Sequence, residues 1–178
     1  FEEGDLIHLN ILPIGSSHIT NDIAIGLKCD IDLAERIKLE FGNLLFNKKE
    51  KAKIQLEGLT FSKKILAKII EARISEIFGE VNKELKKISR KELLPAGVVL
   101  TGGGARLPKI VELAKRELKL PARLGLPRGF FPPLEDPCLA TVAGLVLLGG
   151  DLETERPSSV FGQGIFSKLK RIFKIFIP

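Results

Sequence analysis

Apolar and polar residues recur at two different spacings along the chain, and the spacing separates predicted strands from predicted helices. In residues 5–15 and 51–58 the two classes alternate, which is typical of half-exposed strands. In residues 60–88 apolar positions recur every three or four residues, the period of one helix face. We therefore predict strands at 5–15 and 51–58 and a long helix at 60–88.

Two shorter helices are predicted between those strands, at residues 16–27 and 30–42. Their candidate N-cap residues are Thr20, Asn21 or Asp22 for the first helix and Asp30 or Asp32 for the second. Gly42 is expected to end the second helix, because glycine readily adopts the backbone conformation found just after a helix.

Strands and helices alternate in the second half of the chain. Residues 96–118 predict a buried strand, a glycine turn and a helix with Pro108 in its first turn, and "ARLGLP" (122–127) predicts another strand. A helix rich in small residues is expected at 136–150. This alternation indicates an α/β layer, into which the lysine-rich, helical stretch 34–88 is inserted. The mixed polar stretch 151–164 predicts a linker.

Composition limits the functional classes. The 178 residues are 44% hydrophobic, enough for one core, and the net charge of +6 is modest. Four of the cations lie in the last eleven residues, so the remainder is nearly balanced and a broad nucleic-acid surface is not expected. Cys29 and Cys138 fit neither a zinc spacing nor a disulfide framework, and a reducing compartment is the simple interpretation. The sequence contains no methionine and begins at Phe1, so we expect a fragment of a longer protein.

The segment 165–178 predicts an amphipathic helix with a broad apolar face and a wholly cationic polar face, the pattern of a helix that lies in a membrane surface. The candidate membrane-binding residues are Ile165, Phe166, Lys168, Leu169, Lys170, Arg171, Ile172, Phe173, Lys174 and Phe176. The alternative is a helix that packs on its own domain, although such helices usually carry both signs of charge on the wet face.

The glycine turn "VVLTGGGARLPKI" (98–110) is the sharpest chemical feature. A buried strand that runs into glycines and then a helix brings free backbone amides and a helix N-terminus together, which suits anions and nucleotides. A dinucleotide fingerprint is excluded, because Leu107 stands where its third glycine belongs, and no Gly-Lys-Ser/Thr of a Walker loop occurs. A purely structural turn remains the alternative from this pattern alone.

Four motifs together resemble the actin family of ATPases. They are "ITNDIAIGL", "AERIKLEFG", "GVVLTGGGARLPKI" and "ATVAGLVLLG", in the family's order and spacing. The first motif and the terminal "IFSKLKRIFKIF" favour the bacterial cell-division FtsA family over the related MreB proteins, which share "AERIK" and "LTGGGA" but lack such a tail. The resemblance covers essentially the whole chain and implies the C-terminal half of a family member, with an α/β, actin-like (RNase H-like) fold. Subdomain IIA would comprise residues 1–33 and 89–150 and subdomain IIB residues 34–88, followed by the linker at 151–164 and the membrane-targeting helix at 165–178.

The resemblance also implies a nucleotide site. Gly102, Gly103 and Gly104 match the adenosine motif that lies against the purine and ribose, and Arg106 and Leu107 follow it near one face of the base. Glu35 and Lys38, one helical turn apart, match the acid and cation that reach the ribose and base from the other lobe. Without the resemblance, the favoured interpretation of these last two is a surface ion pair of a few tenths of a kcal/mol. The implied cofactor is ATP, with Mg²⁺ in the full-length protein. No catalytic or metal-ligating residue is expected in this chain.

The resemblance further implies a function in cell division. Members bind ATP, polymerise, and tether FtsZ filaments to the cytoplasmic membrane at the septum, with the FtsZ C-terminal peptide bound by subdomain IIB. The family's "DIGGGTT"-like phosphate loop would precede Phe1, so this chain is expected to be inactive and the full-length protein at most a weak ATPase. The alternatives are another actin-fold ATPase that acts as a membrane-associated scaffold (MreB-like, pilus-assembly or chaperone-like), a sugar-kinase-like enzyme, and a dehydrogenase domain, which Leu107 contradicts.

Overall fold

The computed structural model describes residues 5–43, 52–88 and 94–154, and helices occupy most of them. In chain order the elements are α1 (Ser16–Leu27), α2 (Ile31–Phe41), β1 (Lys53–Leu56), β2 (Leu59–Ser62), α3 (Lys63–Lys87), β3 (Val98–Leu100), α4 (Ile110–Leu118), β4 (Ala122–Leu124) and α5 (Ala140–Thr154), with 3-10 turns at Gly103–Arg106 and Pro137–Leu139. The described residues up to Ala140 belong to one compact unit, and those from Thr141 onward belong to a second.

The two short helices form where their sequence periods place them, but only α2 has the predicted ends. The Oδ1 atom of Asp30 accepts a hydrogen bond from the Leu33 backbone N–H at 2.8 Å, and α2 ends at Gly42. In contrast, α1 begins directly after Gly15, whose backbone N–H donates to Nδ1 of His18. The prediction that Thr20, Asn21 or Asp22 caps α1 is therefore wrong by at least one helical turn.

The predicted strand at 5–15 is absent, and the segment has no regular secondary structure apart from an isolated bridge at Asp5. Leu9 and Ile11 are 73% and 86% exposed. An alternating pattern becomes a strand only where a neighbouring strand supplies backbone partners, and no described strand pairs with residues 6–15.

A two-stranded hairpin precedes the long helix. Strands β1 and β2 pair antiparallel with Lys53 opposite Ser62, and the turn between them has positive φ at Glu57 (47°) and Gly58 (81°). Positive φ at both central residues is the type I′ geometry favoured in two-residue hairpins. The predicted strand at 51–58 is thus confirmed, whereas the predicted start of the long helix at residue 60 is wrong, because residues 59–62 return along β1.

Helix α3 forms the centre of the core. Its buried residues are Leu66, Ala67, Ile70, Ile74 and Phe78, and they fall at the helical spacing that the sequence predicts. One face of α3 packs against α1 and another against α4. An ion pair stabilises the contact between α3 and α1: the Arg73 guanidinium donates to both carboxylate oxygens of Asp22, at 2.6 and 2.7 Å.

The β3–α4–β4 segment confirms the predicted strand–turn–helix–strand order. The two strands pair in parallel, with Val98 opposite Ala122. Helix α4 buries Ile110, Leu113, Ala114 and Leu118 in the same core as α3. It begins two residues after Pro108, which the sequence places inside its first turn. The turn that leads from β3 to α4 is therefore held between a strand and a buried helix.

The second unit is described only over its first residues, where it forms most of α5. This confirms the predicted small-residue helix and extends it to Thr154, so residues 151–154 are helical rather than part of the predicted linker. The rest of the linker and the predicted membrane-binding residues at 165–178 lie outside the described residues. Among the residues that the structure describes, no helix is both long and apolar enough to cross a membrane.

Candidate functional site

The glycine turn leaves β3 and is anchored by backbone contacts on one side. Gly102 has a φ of 83°, which favours glycine, and its backbone N–H donates to the Pro137 carbonyl oxygen at 2.9 Å. The Thr101 hydroxyl lies 3.2 Å from that oxygen and 3.2 Å from the Gly125 carbonyl oxygen. The strand end is thereby tied to the segment that follows β4.

Among the described residues, no contact requires glycine at the next two positions. Neither Gly103 nor Gly104 has positive φ. A Cβ added to Gly103 would lie 3.7 Å from Sγ of Cys138, and one added to Gly104 would lie 3.8 Å from Cβ of Ser16, both ordinary contacts. The missing side chains therefore keep space open beside the turn, which a bound group could use.

Arg106 is engaged by the chain itself. Its Nε donates to Oδ1 of Asp136 at 2.9 Å, and its Nη2 donates to Oδ2 of the same carboxylate. The Cys138 backbone N–H, together with the Arg106 guanidinium, holds the pKa of Asp136 below its ordinary value. The Arg106 guanidinium therefore links the turn to the segment at 136–138. The part of its side chain that does not contact Asp136 is exposed to solvent.

Leu107 connects the turn to helix α2. Its Cδ2 atom lies 3.3 Å from the position that a Cβ on Gly42 would occupy. The same added Cβ would lie 2.3 Å from the Lys38 carbonyl oxygen, so only glycine fits at the end of α2. The end of the helix that carries Glu35 and Lys38 is thus packed against the residue that follows the turn.

Glu35 and Lys38 form a three-residue network with Thr20 of α1. The Lys38 ammonium donates to Oε2 of Glu35 at 2.6 Å and to Oγ1 of Thr20 at 2.9 Å. The Thr20 hydroxyl donates in turn to Oε2 of Glu35. The sequence predicts Thr20 only as a helix cap, and no sequence signal marks its role here, because it depends on how α1 packs on α2.

Burial separates the two charges of this network. The Lys38 side chain is 9% exposed, whereas the Glu35 side chain is 43% exposed. The pair is therefore not the fully exposed ion pair that the spacing alone favours. Partial burial acts to raise the pKa of Glu35, but hydrogen bonds from Lys38 and Thr20, with the Lys38 charge, outweigh it and lower that pKa below its ordinary value.

Two hollows flank this region. The smaller, of about 360 Å³, is lined by Ser16, Ser17, Thr20, Asn21, Ile31, Asp32, Glu35 and Lys38. The larger, of about 840 Å³, is lined by residues of the turn and α4, including Arg106 and Leu107, and by Asp136. The structure thus places Arg106 and Leu107 at one hollow and Glu35 and Lys38 at the other, whereas the three glycines line neither. Gly104 is nevertheless near the smaller hollow, because a Cβ added to it would lie 3.8 Å from Cβ of Ser16.

The two histidines of the sequence both interact with other parts of the chain. His8 lies 3.7 Å from Glu84, and His18 accepts a backbone hydrogen bond near the start of α1. Over residues 5–43, 52–88 and 94–154, no group of three His, Cys, Asp or Glu side chains could hold a metal ion.

Comparison with known proteins decides the family. A sequence model described as "Cell division protein FtsA" matches residues 1–144. The chain belongs to the FtsA family. Among curated relatives, the FtsA of Pseudomonas aeruginosa is 34% identical over 84% of this chain and 38% of its own length. The FtsA of Neisseria meningitidis is 34% identical over 96% of this chain and 46% of its own length. The chain therefore spans less than half the length of these relatives.

Solved structures confirm the predicted actin-like fold. MreB5 of Spiroplasma citri bound to ADP superposes with a TM-score of 0.64 at 17% identity, over 84% of this chain and 48% of that one. The ethanolamine utilization protein EutJ of Carboxydothermus hydrogenoformans gives a TM-score of 0.58 at 21% identity, over 83% of this chain and 43% of that one. Despite the absent strand at 5–15, this member of the FtsA family has the fold that its motifs predict.

Proposed function

We propose that this chain is the lobe of an FtsA protein that closes one side of an ATP-binding cleft and carries the membrane anchor of the whole molecule. Residues 1–33 and 89–150 then form subdomain IIA, and residues 34–88 form subdomain IIB. The full-length protein polymerises and tethers FtsZ filaments to the cytoplasmic face of the membrane at the division septum. Family membership supports the role in cell division.

The observation that carries the nucleotide assignment is the convergence of two unrelated segments. A Cβ added to Gly104 of the turn would lie 3.8 Å from Cβ of Ser16 at the start of α1, so the two segments are neighbours, and the hollow beside Ser16 is also lined by Thr20, Glu35 and Lys38. The glycine turn has no side chains to block a flat ring, and the ionised Glu35 carboxylate can accept hydrogen bonds from hydroxyl groups. Together these two features suit a nucleoside. The MreB5 proteins of similar fold were solved with ADP and with AMPPNP, which supports the same ligand class here.

The FtsZ contact is assigned to the inserted lobe. Helix α3 presents Lys64 and Lys68 to solvent in its first two turns, and Ile65 beside Lys64 has an exposed fraction of 51%. Cations beside an exposed aliphatic side chain suit a short peptide with acidic and hydrophobic residues. The FtsZ C-terminal peptide is the expected ligand of this family.

The membrane contact is assigned to residues 165–178 from their sequence. Lys168, Lys170, Arg171 and Lys174 lie on the polar face of the predicted helix, and each cation near an anionic leaflet contributes about 1 kcal/mol. With the apolar face partly buried, attachment is reversible for a single copy. Several copies in a polymer would bind firmly, because linked tails rebind before they diffuse away.

Co-flotation with vesicles tests the complete proposal. Full-length protein with ATP is mixed with FtsZ filaments and phosphatidylglycerol-containing vesicles, and FtsZ is measured in the floating fraction. We expect FtsZ to float only when the protein is present and to stay in solution with the Phe173→Glu variant. Flotation of FtsZ by Phe173→Glu at the wild-type level would show that the tail is not the anchor.

A further inference from the structure

The C-terminal end of helix α2 lies next to the glycine turn. Gly42, which follows the last residue of α2, is buried. A Cβ added to Gly42 would lie 3.3 Å from Cδ2 of Leu107, so the end of α2 and the residue that follows the turn are neighbours. Because packed interiors transmit small displacements, a ligand that orders the turn also restricts the end of α2.

Phe41, the last residue of α2, connects this helix to the hairpin. Its ring lies edge-on to the ring of Phe61 in β2, with the ring centroids 6.3 Å apart and the ring planes at 73°. Phe61 is 5% exposed, and Phe41 is half-buried against the same core. Edge-to-face pairs at this separation add to the attraction that burial alone provides. The position of the Phe41 ring therefore constrains that of Phe61.

Phe61 is followed directly by the residue that caps α3. The Ser62 hydroxyl oxygen accepts a hydrogen bond from the Lys64 backbone N–H at 3.2 Å, which fixes the first turn of the helix. The first two turns of α3 also carry the cations and the exposed Ile65 to which we assign the peptide contact. A continuous series of contacts thus connects the glycine turn, the end of α2, the hairpin and the start of α3.

We propose that the contact between Phe41 and Phe61 couples the two sites, so that a nucleotide bound at the glycine turn strengthens the binding of an acidic, partly apolar peptide at the start of α3. This inference rests on the proposed function, which supplies both ligands. Its physical basis is that the first ligand orders residues that the second ligand would otherwise have to order itself. The competing explanation is that the two rings only fill the core.

Peptide affinity with and without nucleotide measures the coupling. A fluorescently labelled FtsZ C-terminal peptide is titrated with full-length protein, and its anisotropy gives the dissociation constant without nucleotide and with saturating ADP. We expect ADP to strengthen peptide binding about fivefold, at the lower end of the usual range for coupled sites. The peptide must strengthen ADP binding by the same factor, because the coupling of two binding equilibria is reciprocal. Calorimetry of ADP binding with and without saturating peptide gives that second value.

Leucine variants at two equally buried phenylalanines separate coupling from stability. Phe61 and Phe78 are both 5% exposed and belong to the same core, and the Phe41 ring pairs with that of Phe61. Phe61→Leu and Phe78→Leu should therefore lower the melting temperature by similar amounts. Phe61→Leu should reduce the effect of ADP on peptide affinity to less than about twofold, whereas Phe78→Leu should keep the wild-type factor. Phe41→Leu should behave as Phe61→Leu does, with a smaller loss of stability.

The outcomes distinguish this inference from the function on which it rests. Wild-type protein that binds no ADP would overturn the nucleotide site, and protein that binds no peptide would overturn the FtsZ contact. Binding of both ligands, with neither changing the affinity for the other, would leave both sites in place and overturn the coupling. The wild-type factor in Phe41→Leu and Phe61→Leu, or an equal loss in Phe78→Leu, would show that the two rings do not carry it. If Phe61→Leu loses its cooperative melting transition, Phe41→Leu decides, because the Phe41 ring is only half-buried.

Discussion

The guanidinium of Arg106 and the carboxylate of Asp136 form a two-point ion pair across 30 residues of sequence. The same carboxylate accepts a hydrogen bond from the Cys138 backbone N–H at 2.9 Å. One acidic side chain thus fixes the end of the glycine turn and starts the 3-10 turn at Pro137–Leu139. The shape of the turn depends on this contact as well as on its glycines.

Asp136→Asn should make the first unit less stable at neutral pH, because a neutral amide loses the charge-assisted bonds to Arg106. The pKa of Asp136 is lowered in the folded chain, so its stabilisation is present above the unfolded pKa and is lost as the pH falls through the folded pKa. The melting temperatures of wild type and variant should therefore differ at pH 7 and converge at strongly acidic pH. Glu135→Gln, the neighbouring acid, is the control, and a pH-independent difference for Asp136→Asn would contradict the account.

The 178-residue chain alone should show no ATP hydrolysis. In-line phosphoryl transfer needs donors and a metal around the γ-phosphate, and in this family the loops that supply them match no segment of the sequence. Phosphate release is compared between the chain and a heat-inactivated sample. Turnover clearly above that control would show that residues 1–178 contain phosphate-binding groups that the motifs do not reveal.

Substitutions in the tail should separate apolar burial from charge attraction. Phe173→Glu places a charge in the apolar face and should abolish binding to anionic vesicles, since burial of that face supplies about 25 cal/mol per Å². Lys174→Gln removes one of four cations and should only weaken binding, more strongly at low salt. Sedimentation with vesicles measures both, and equal binding by wild type and Phe173→Glu would indicate that the tail packs elsewhere.

Sequence signals predicted an element correctly where its ends are stabilised by residues close to it in the sequence. Helix α2 has an aspartate that caps its first turn and a glycine that ends it, and both ends are predicted correctly. The hairpin turn at Glu57 and Gly58 also has a local signal, a glycine in a two-residue loop, although the helical period that follows obscured strand β2. A short strand that runs directly into a long helix is easily mistaken for the first turn of that helix when only the sequence pattern is used.

Features that depend on distant partners could not be predicted from the pattern. The alternation at 5–15 is a strand pattern, but strand formation needs a neighbour that periodicity does not reveal. Arg106 and Asp136 are 30 positions apart in the sequence, and Thr20 and Lys38 are 18 positions apart. Both hydrogen bonds form only because separate elements pack together. The motifs mark the candidate site residues, whereas the contacts among these residues could be found only in the tertiary structure.

Gly103→Val in the full-length protein, titrated with ATP, tests the central claim most directly. A Cβ at Gly103 makes only an ordinary contact with the described residues, so the fold should persist while the larger side chain fills the space that we assign to the nucleotide. Gly97→Ala is the matched control, because its Cβ would lie 2.2 Å from the Pro121 carbonyl oxygen and should lower stability away from the site. We expect Gly103→Val to bind ATP at least about tenfold more weakly with an unchanged circular dichroism spectrum. Wild-type ATP affinity in Gly103→Val, with that spectrum unchanged, would contradict the assignment of the glycine turn to the nucleotide site.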